Sequence, residues 1–436
     1  MNKSPEALSR LLPALLLLAT LLCTISSSHA AVWQDEHQWN DEWEARFGDW
    51  MGVRYTSNLF LEGPYADIAH DCADASYYAR LLFAYENKLP FVIQDPAWVG
   101  PDSPRGEGFN SLVEEYGEDS PYAKVERFIH NRMAYFDRFP PEQRLGEFIE
   151  FVGNVVWTKA LINDTYPVSI DRRWFRPGVV AVLPRREIVS EPNPFFDAES
   201  FTETVTVIAG HAQMVTDVDD KGIIHYMKSS MPAKVQGLRS TTLNSFVPSA
   251  EGGSFRYWKQ PHQYDAPIEE LPGYGLEQFE VEGVFEDAVQ DRLAQVRESR
   301  HERIARLTGE LCAQLNERIG VVVDAWRYKL KIGQVHCMNA EEYDLYSTPN
   351  RDKKLRKTIQ RLTRQATGSE QGDLASLADE INAQCGQIEY LPEMKIAALD
   401  AAQNVLAGAA SSDPNQAPGA RWGAQAPQDL GCTIYY

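Results

Sequence analysis

Beyond its first two dozen residues the chain has no apolar run near the ~20 residues that a membrane helix needs. Once a leader is removed, nothing is expected to span a bilayer. Positive charge is also short: 42 Lys and Arg stand against 62 Asp and Glu, for a net charge of −20. That balance excludes a general nucleic-acid binder and gives no electrostatic pull toward anionic lipid. No glycine-rich phosphate loop occurs, and the nine histidines show no metal-site spacing, so neither a metal nor any other cofactor is expected. Cysteine is scarce, with six in 436 residues. What is abundant is core material, 44% hydrophobic and 11% aromatic, which excludes a disordered or fibrous chain.

Lys3 and Arg10 precede the apolar run Leu11 to Leu22, and Ser28-His29-Ala30 offers small residues for cleavage. Residues 1–30 therefore read as a secretory leader, and the protein is expected to be exported, periplasmic or extracellular. Cys23 would leave with the leader. Five cysteines remain: Cys72, Cys312, Cys337, Cys385 and Cys432. An odd number in an oxidising compartment leaves one thiol over. Four of the five lie in the last third, so two C-terminal disulfides and a free Cys72 is the economical partition. Three pairings of the four stay open.

Residues 31–68 carry Trp33, Trp39, Trp43, Phe47, Trp50 and Tyr55, rings expected to pack over a core or groove. A helix is predicted from Asp71 to about Asn87, with Asp71 as N-cap. A helical insertion is expected near 94–160, then a β-rich stretch: Val179 to Leu183, Thr202 to Ile208, His211 to Val218 and Ile223 to Met227. Asp219-Asp220-Lys221-Gly222 supplies the hairpin turn between the last two. Loop is expected from Pro248 to Tyr274, with a domain boundary near 275. Helices are predicted at 286–318, 321–331, 352–366 and 373–408, and residues 409–436 read as a weakly ordered tail. Arg351, Lys353, Lys354, Arg356, Lys357, Arg361 and Arg364 read as a solvated helix face.

The chemistry concentrates at Ala69-His70-Asp71-Cys72-Ala73-Asp74. A thiol in the first turn of a helix is favoured as thiolate by the helix dipole and by unpaired backbone N–H groups. A cysteine hydrolase also needs a base, an orienting group and oxyanion donors. His211, after Gly210, is the candidate base. His225, across the turn, is the candidate orienting group.

Asp71-Cys72, Arg176-Pro177-Gly178 before Val179, and Gly210-His211 through Gly222 and His225 together resemble the NlpC-type cell-wall cysteine peptidases. The chain departs from them in having Ala73-Asp74 after the cysteine and about a hundred residues between Cys72 and Arg176. The resemblance, carried by residues 65–95 and 172–235, implies a papain-like α+β domain, placed at 31–275; the charged helical runs beyond it predict a mostly helical domain over 276–408. The resemblance also implies catalytic roles for Cys72, His211 and His225, and a peptide substrate such as peptidoglycan stem peptides. A transglutaminase-like branch is similar too, but it wants an aspartate between Ile223 and Pro232, where there is none. The non-enzyme alternative is a periplasmic or surface binding protein on the same fold, with the helical domain as its partner surface.

Overall fold

The computed structural model describes residues 32–183, 186–189, 205–208, 210–242, 248, 253–282, 284–333, 336–368 and 374–435. The expected leader lies outside them. Helices and antiparallel sheet are both present, in two compact units, one ending at Gln295 and the other beginning at Val296.

In the first unit, helix α1 (Asp41–Arg54) starts at Asn40, whose side chain accepts the Trp43 N–H. Trp39, Phe47 and Trp50 surround Phe83 of the next helix, with ring centroids 5.7, 5.3 and 6.1 Å away. The aromatic N-terminal segment is thus core. Helix α2 (Cys72–Glu86) carries the expected cap: the Asp71 carboxylate accepts the Ala73 and Asp74 N–H groups, and the Asp74 carboxylate accepts the Asp71 N–H. Every residue from Cys72 to Ala84 is buried, which makes α2 a central helix rather than an amphipathic one.

Strand β1 (Val92–Gln94) pairs with β2 (Phe128–His130); α3 (Asn110–Tyr116) lies between them in sequence and α4 (Pro141–Val155) follows. The stretch expected as a helical insertion is therefore only partly helical. It is also not peripheral, because Ile93, Ile129, Phe136, Phe148 and Val152 join the core cluster that holds α2.

Short helix α5 (Leu161–Asp164) leads into β3 (Thr165–Pro167), then β4 (Val180–Leu183). Strands β5 (Arg186–Val189) and β6 (Val205–Ile208) pair with each other in a two-stranded antiparallel sheet. With β7 (His211–Val218), β8 (Ile224–Lys228), β9 (Arg239–Thr241) and β10 (Ser254–Trp258), the main antiparallel sheet has the order β3-β10-β4-β7-β8-β9. Strand β10 replaces the loop expected over 248–274. All five of its residues are buried, so it lacks the alternation that marks a half-exposed strand. The β7–β8 turn forms where expected, with Gly222 at φ +74° and the Asp219 carboxylate accepting the Lys221 and Ile223 N–H groups.

Val180, Val182, Ala212 and Met214 belong to the cluster of α2, whereas Val179, Ala181, Val215 and Phe255 pack with Phe285, Val289 and Leu293 of α6 (Phe285–Leu293). The Gln278 side chain bonds the backbone of Val168 and Phe255. These contacts carry the first unit past the boundary expected near 275.

The second unit is built on α7 (Arg300–Ile332), one continuous helix where a break near 320 was expected. It is followed by α8 (Ala340–Tyr346), α9 (Pro349–Thr367), α10 (Ala378–Cys385), the hairpin β11 (Gln387–Leu391) and β12 (Met394–Ala397), α11 (Ala398–Leu406) and α12 (Pro418–Arg421). Cys312 pairs with Cys385 and Cys337 with Cys432, which leaves Cys72 as the free cysteine among the described residues. The tail is a correction. Trp422 is fully buried with the Arg318 guanidinium 4.6 Å from its ring, and Asp413 accepts the Tyr343 hydroxyl at 2.6 Å. The basic face is another: Arg361 is buried, and Arg356 donates to the Val405 carbonyl at 3.0 Å. Among the described residues no helix is long and apolar enough to cross a membrane.

Candidate site at the start of helix α2

Cys72 is the first residue of α2 and is only 3% exposed. Its thiol lies against the backbone N–H of Ala212, the peptide that joins Ala212 to His211. Helix α2 packs on β7, so the structure brings the predicted nucleophile to the predicted base's own peptide unit. His211 opens β7, is partly buried, and pairs across the ladder with Leu183; alternation along β7 places its side chain on the face opposite that of Ala212 and Met214, so the structure brings the His211 backbone, and not its ring, to the α2 side.

His225 is not part of this grouping. The ladder sets Asp217 opposite His225 and Met214 opposite Met227. His225 therefore stands six residues along the strand from His211, or about 20 Å at a strand's ~3.4 Å rise. Its Nε2 sits 3.8 Å from the Asp219 carboxylate at the turn. Residues 211 and 225 would face each other only in a hairpin centred on residue 218; the Asp219–Gly222 turn centres the ladder near residue 221 instead.

The thiol is not poised in this state. Burial, followed by the Asp71 carboxylate, pushes its pKa up to about 12; the Ala212 N–H works in the opposite direction. Asp74 is itself raised to about 7 by burial and by Asp71. The cap that makes α2 start at Cys72 therefore also surrounds the sulfur with negative charge. Because Asp71 occupies the Ala73 and Asp74 N–H groups, the Cys72 N–H is the remaining donor of the first turn.

Three further residues lie nearby: His70, which the motif contains and which reads from sequence as a surface or packing residue, and Gln236 and Ser229, which the sequence pattern did not mark. His70 is fully buried, its Nε2 2.9 Å from the Gln236 carbonyl, its ring 4.2 Å from that of Phe60, and its Nδ1 without a hydrogen-bond partner. Gln236 answers by donating to the His70 carbonyl at 2.9 Å. Ser229, 2% exposed, follows β8; the register continued by two residues sets it opposite Ala212, and its hydroxyl is also unpartnered. Adjacent Asp-Cys was the only local signal, and nothing in it announces a partner more than 150 residues away.

A second buried cluster lies further along α2. Asp164 accepts the Tyr77 hydroxyl at 2.6 Å, the Tyr264 hydroxyl at 2.9 Å and the Gln94 N–H at 2.7 Å. Burial raises its pKa to about 6 against the pull of these donors. It joins α2, β1, α5 and the loop after β10, and has the character of a structural joint. Among the described residues no three His, Cys, Asp or Glu side chains are grouped to hold a metal ion. No protein-family model, curated protein or solved structure matches the chain.

Proposed function

We propose that the protein is a cysteine-dependent amide hydrolase of papain-like design, with Cys72 as nucleophile and His211 as base. The observation that supports this is the meeting of a helix-start thiol with the peptide unit shared by His211 and Ala212. In the reaction the first residue of β7 has to turn its ring to the α2 face, where His211 takes the thiol proton and the sulfur attacks the carbonyl carbon. The Cys72 N–H donates to the oxyanion. Collapse then breaks the C–N bond, His211 returns the proton to the leaving amine, and water hydrolyses the thioester to release the acid. Peptides of the bacterial cell wall remain the substrate class that the motif resemblance implies.

The thiol's burial and raised pKa favour a second reading, a non-catalytic binding protein on the same fold. One experiment separates the two. Peptidoglycan stem peptides and a broad peptide panel are incubated between pH 5 and 8 with the wild type, Cys72→Ala and His211→Ala. Product release by the wild type alone supports the hydrolase. Release that survives Cys72→Ala, or no release by any variant, supports the binding protein.

A further inference from the structure

The last turn of α7 holds a lysine where an ammonium is costly. A lysine at a helix end ordinarily carries its charge out to water along an apolar stem. Lys329 instead is 2% exposed. Its Nζ donates to two neutral oxygens, the His336 carbonyl at 2.8 Å and the Asn415 carboxamide Oδ1 at 3.5 Å. Burial lowers its pKa, against the opposing pull of the Asp413 carboxylate. Any reaction that turns this amine into a neutral group relieves the cost of burying its charge.

The carboxamide beside it is held from every side. Asn415 is 3% exposed, and its Oδ1 accepts the Met338 N–H at 2.9 Å. Its Nδ2 donates to the Asp413 carboxylate at 3.1 Å and to the Tyr343 hydroxyl at 3.2 Å, while that hydroxyl donates to Asp413 at 2.6 Å. Ala325, Met338 and Tyr343 pack together here, with Tyr328 and Tyr346 against them. Amines do not ordinarily attack carboxamides, for three reasons: the amine is protonated, the oxyanion is unstable, and the amide nitrogen leaves poorly. Each obstacle has its answer in this cluster. Burial favours the free amine, a backbone N–H is aimed at the oxygen that would take the charge, and a carboxyl group sits on the nitrogen that must leave.

We propose that Lys329 and Asn415 join in an intramolecular isopeptide bond, with Asp413 carrying the proton. The ammonium first gives a proton to the Asp413 carboxylate. Nζ then attacks Asn415 Cγ, and the C=O electron pair moves onto Oδ1, where the Met338 N–H holds it. Asp413 returns the proton to Nδ2, and the Cγ–Nδ2 bond breaks as the carbonyl re-forms. Ammonia leaves, taking the surplus Nζ proton with it as ammonium. One amide replaces another, so no oxidant or reductant is consumed. The buried charge is gone, and the C-terminal segment is tied to α7 across 86 residues by a bond that survives reduction of Cys337–Cys432. Nothing in this proposal depends on Cys72.

Mass spectrometry of the purified full chain, with disulfides reduced and thiols alkylated, tests it. Trypsin acting on the wild type should release Tyr328–Lys331, uncut at Lys329, joined to Ile396–Arg421, the pair one ammonia lighter than the two peptides together. Lys329→Arg keeps the cation but lacks the nucleophile, and Asp413→Asn keeps the shape but carries no proton. Both should give the separate peptides, with far-UV circular dichroism unchanged. Separate peptides from the wild type overturn the bond, and this readout needs no variant to fold. Loss of ammonia at Asn415 without attachment to Lys329 overturns it as well. A joined peptide in Asp413→Asn overturns the role given to Asp413.

Discussion

The Arg80 guanidinium grips both oxygens of the Glu44 carboxylate, at 2.6 and 2.8 Å, with its carbon 3.3 Å from the Trp39 ring centroid. Both side chains are almost wholly buried, 6% and 2% exposed. This pair ties α1 to α2 on the helix that begins at Cys72. Removing one partner leaves the other charge buried without its counter-ion. Glu44→Gln or Arg80→Met is expected to cost about 3–5 kcal/mol, measured by denaturant unfolding. The double variant should recover part of that loss.

Asp164 makes a prediction with a definite sign in pH. Its folded pKa, about 6, lies above the ordinary 3.8, so the folded state binds its proton more tightly than the unfolded state does. The stabilisation is complete below about pH 4 and is lost as pH rises through about 6. Asp164→Asn removes this dependence. The variant's stability deficit should therefore be larger at pH 4.5 than at pH 8, and a deficit that grows with pH would contradict the assignment.

His225 and His211 should behave differently. His225 is 37% exposed beside Asp219 at the turn. Its replacement by Ala is expected to leave the pH profile of Cys72 alkylation unchanged and to shift stability by under about 1 kcal/mol. His211→Ala should change that profile. Identical profiles in the two variants would remove His211 from the site.

The disulfide between Cys312 and Cys385 closes 73 residues of separation in the second unit. By chain entropy such a link is worth about 4.5 kcal/mol. Replacing both cysteines with Ser is expected to lower the unfolding midpoint of the second unit and to leave the labelling rate of Cys72 unaltered. Native thiol labelling at pH 8 should also be slow, because a pKa near 12 reduces thiolate on the order of a thousandfold relative to a free cysteine.

Much of the fold was legible where local chemistry decides it. Asp71, Cys72 and Asp74 announced the start of α2, and the Asp219–Gly222 turn announced the β7–β8 hairpin. Strand β10 was missed because a strand buried on both faces shows no period of two. The tail was misread because its Ala, Gly, Pro and Gln content resembles a linker, while several of its residues, Asp413, Asn415, Arg421 and Trp422 among them, are buried.

The sequence by itself determined the free thiol: an odd cysteine count and the clustering of four left Cys72 alone. It also determined that this thiol begins a helix, since capping acts over three residues. Only tertiary structure decided its partners. Strand register carried His225 away to the turn and left the Ala212 N–H beside the sulfur. Folding also drew Gln236 onto His70, a separation of 166 residues. Burial above all, and then the charge of the aspartates that begin the helix, holds its cysteine protonated, and burial is a product of the tertiary fold.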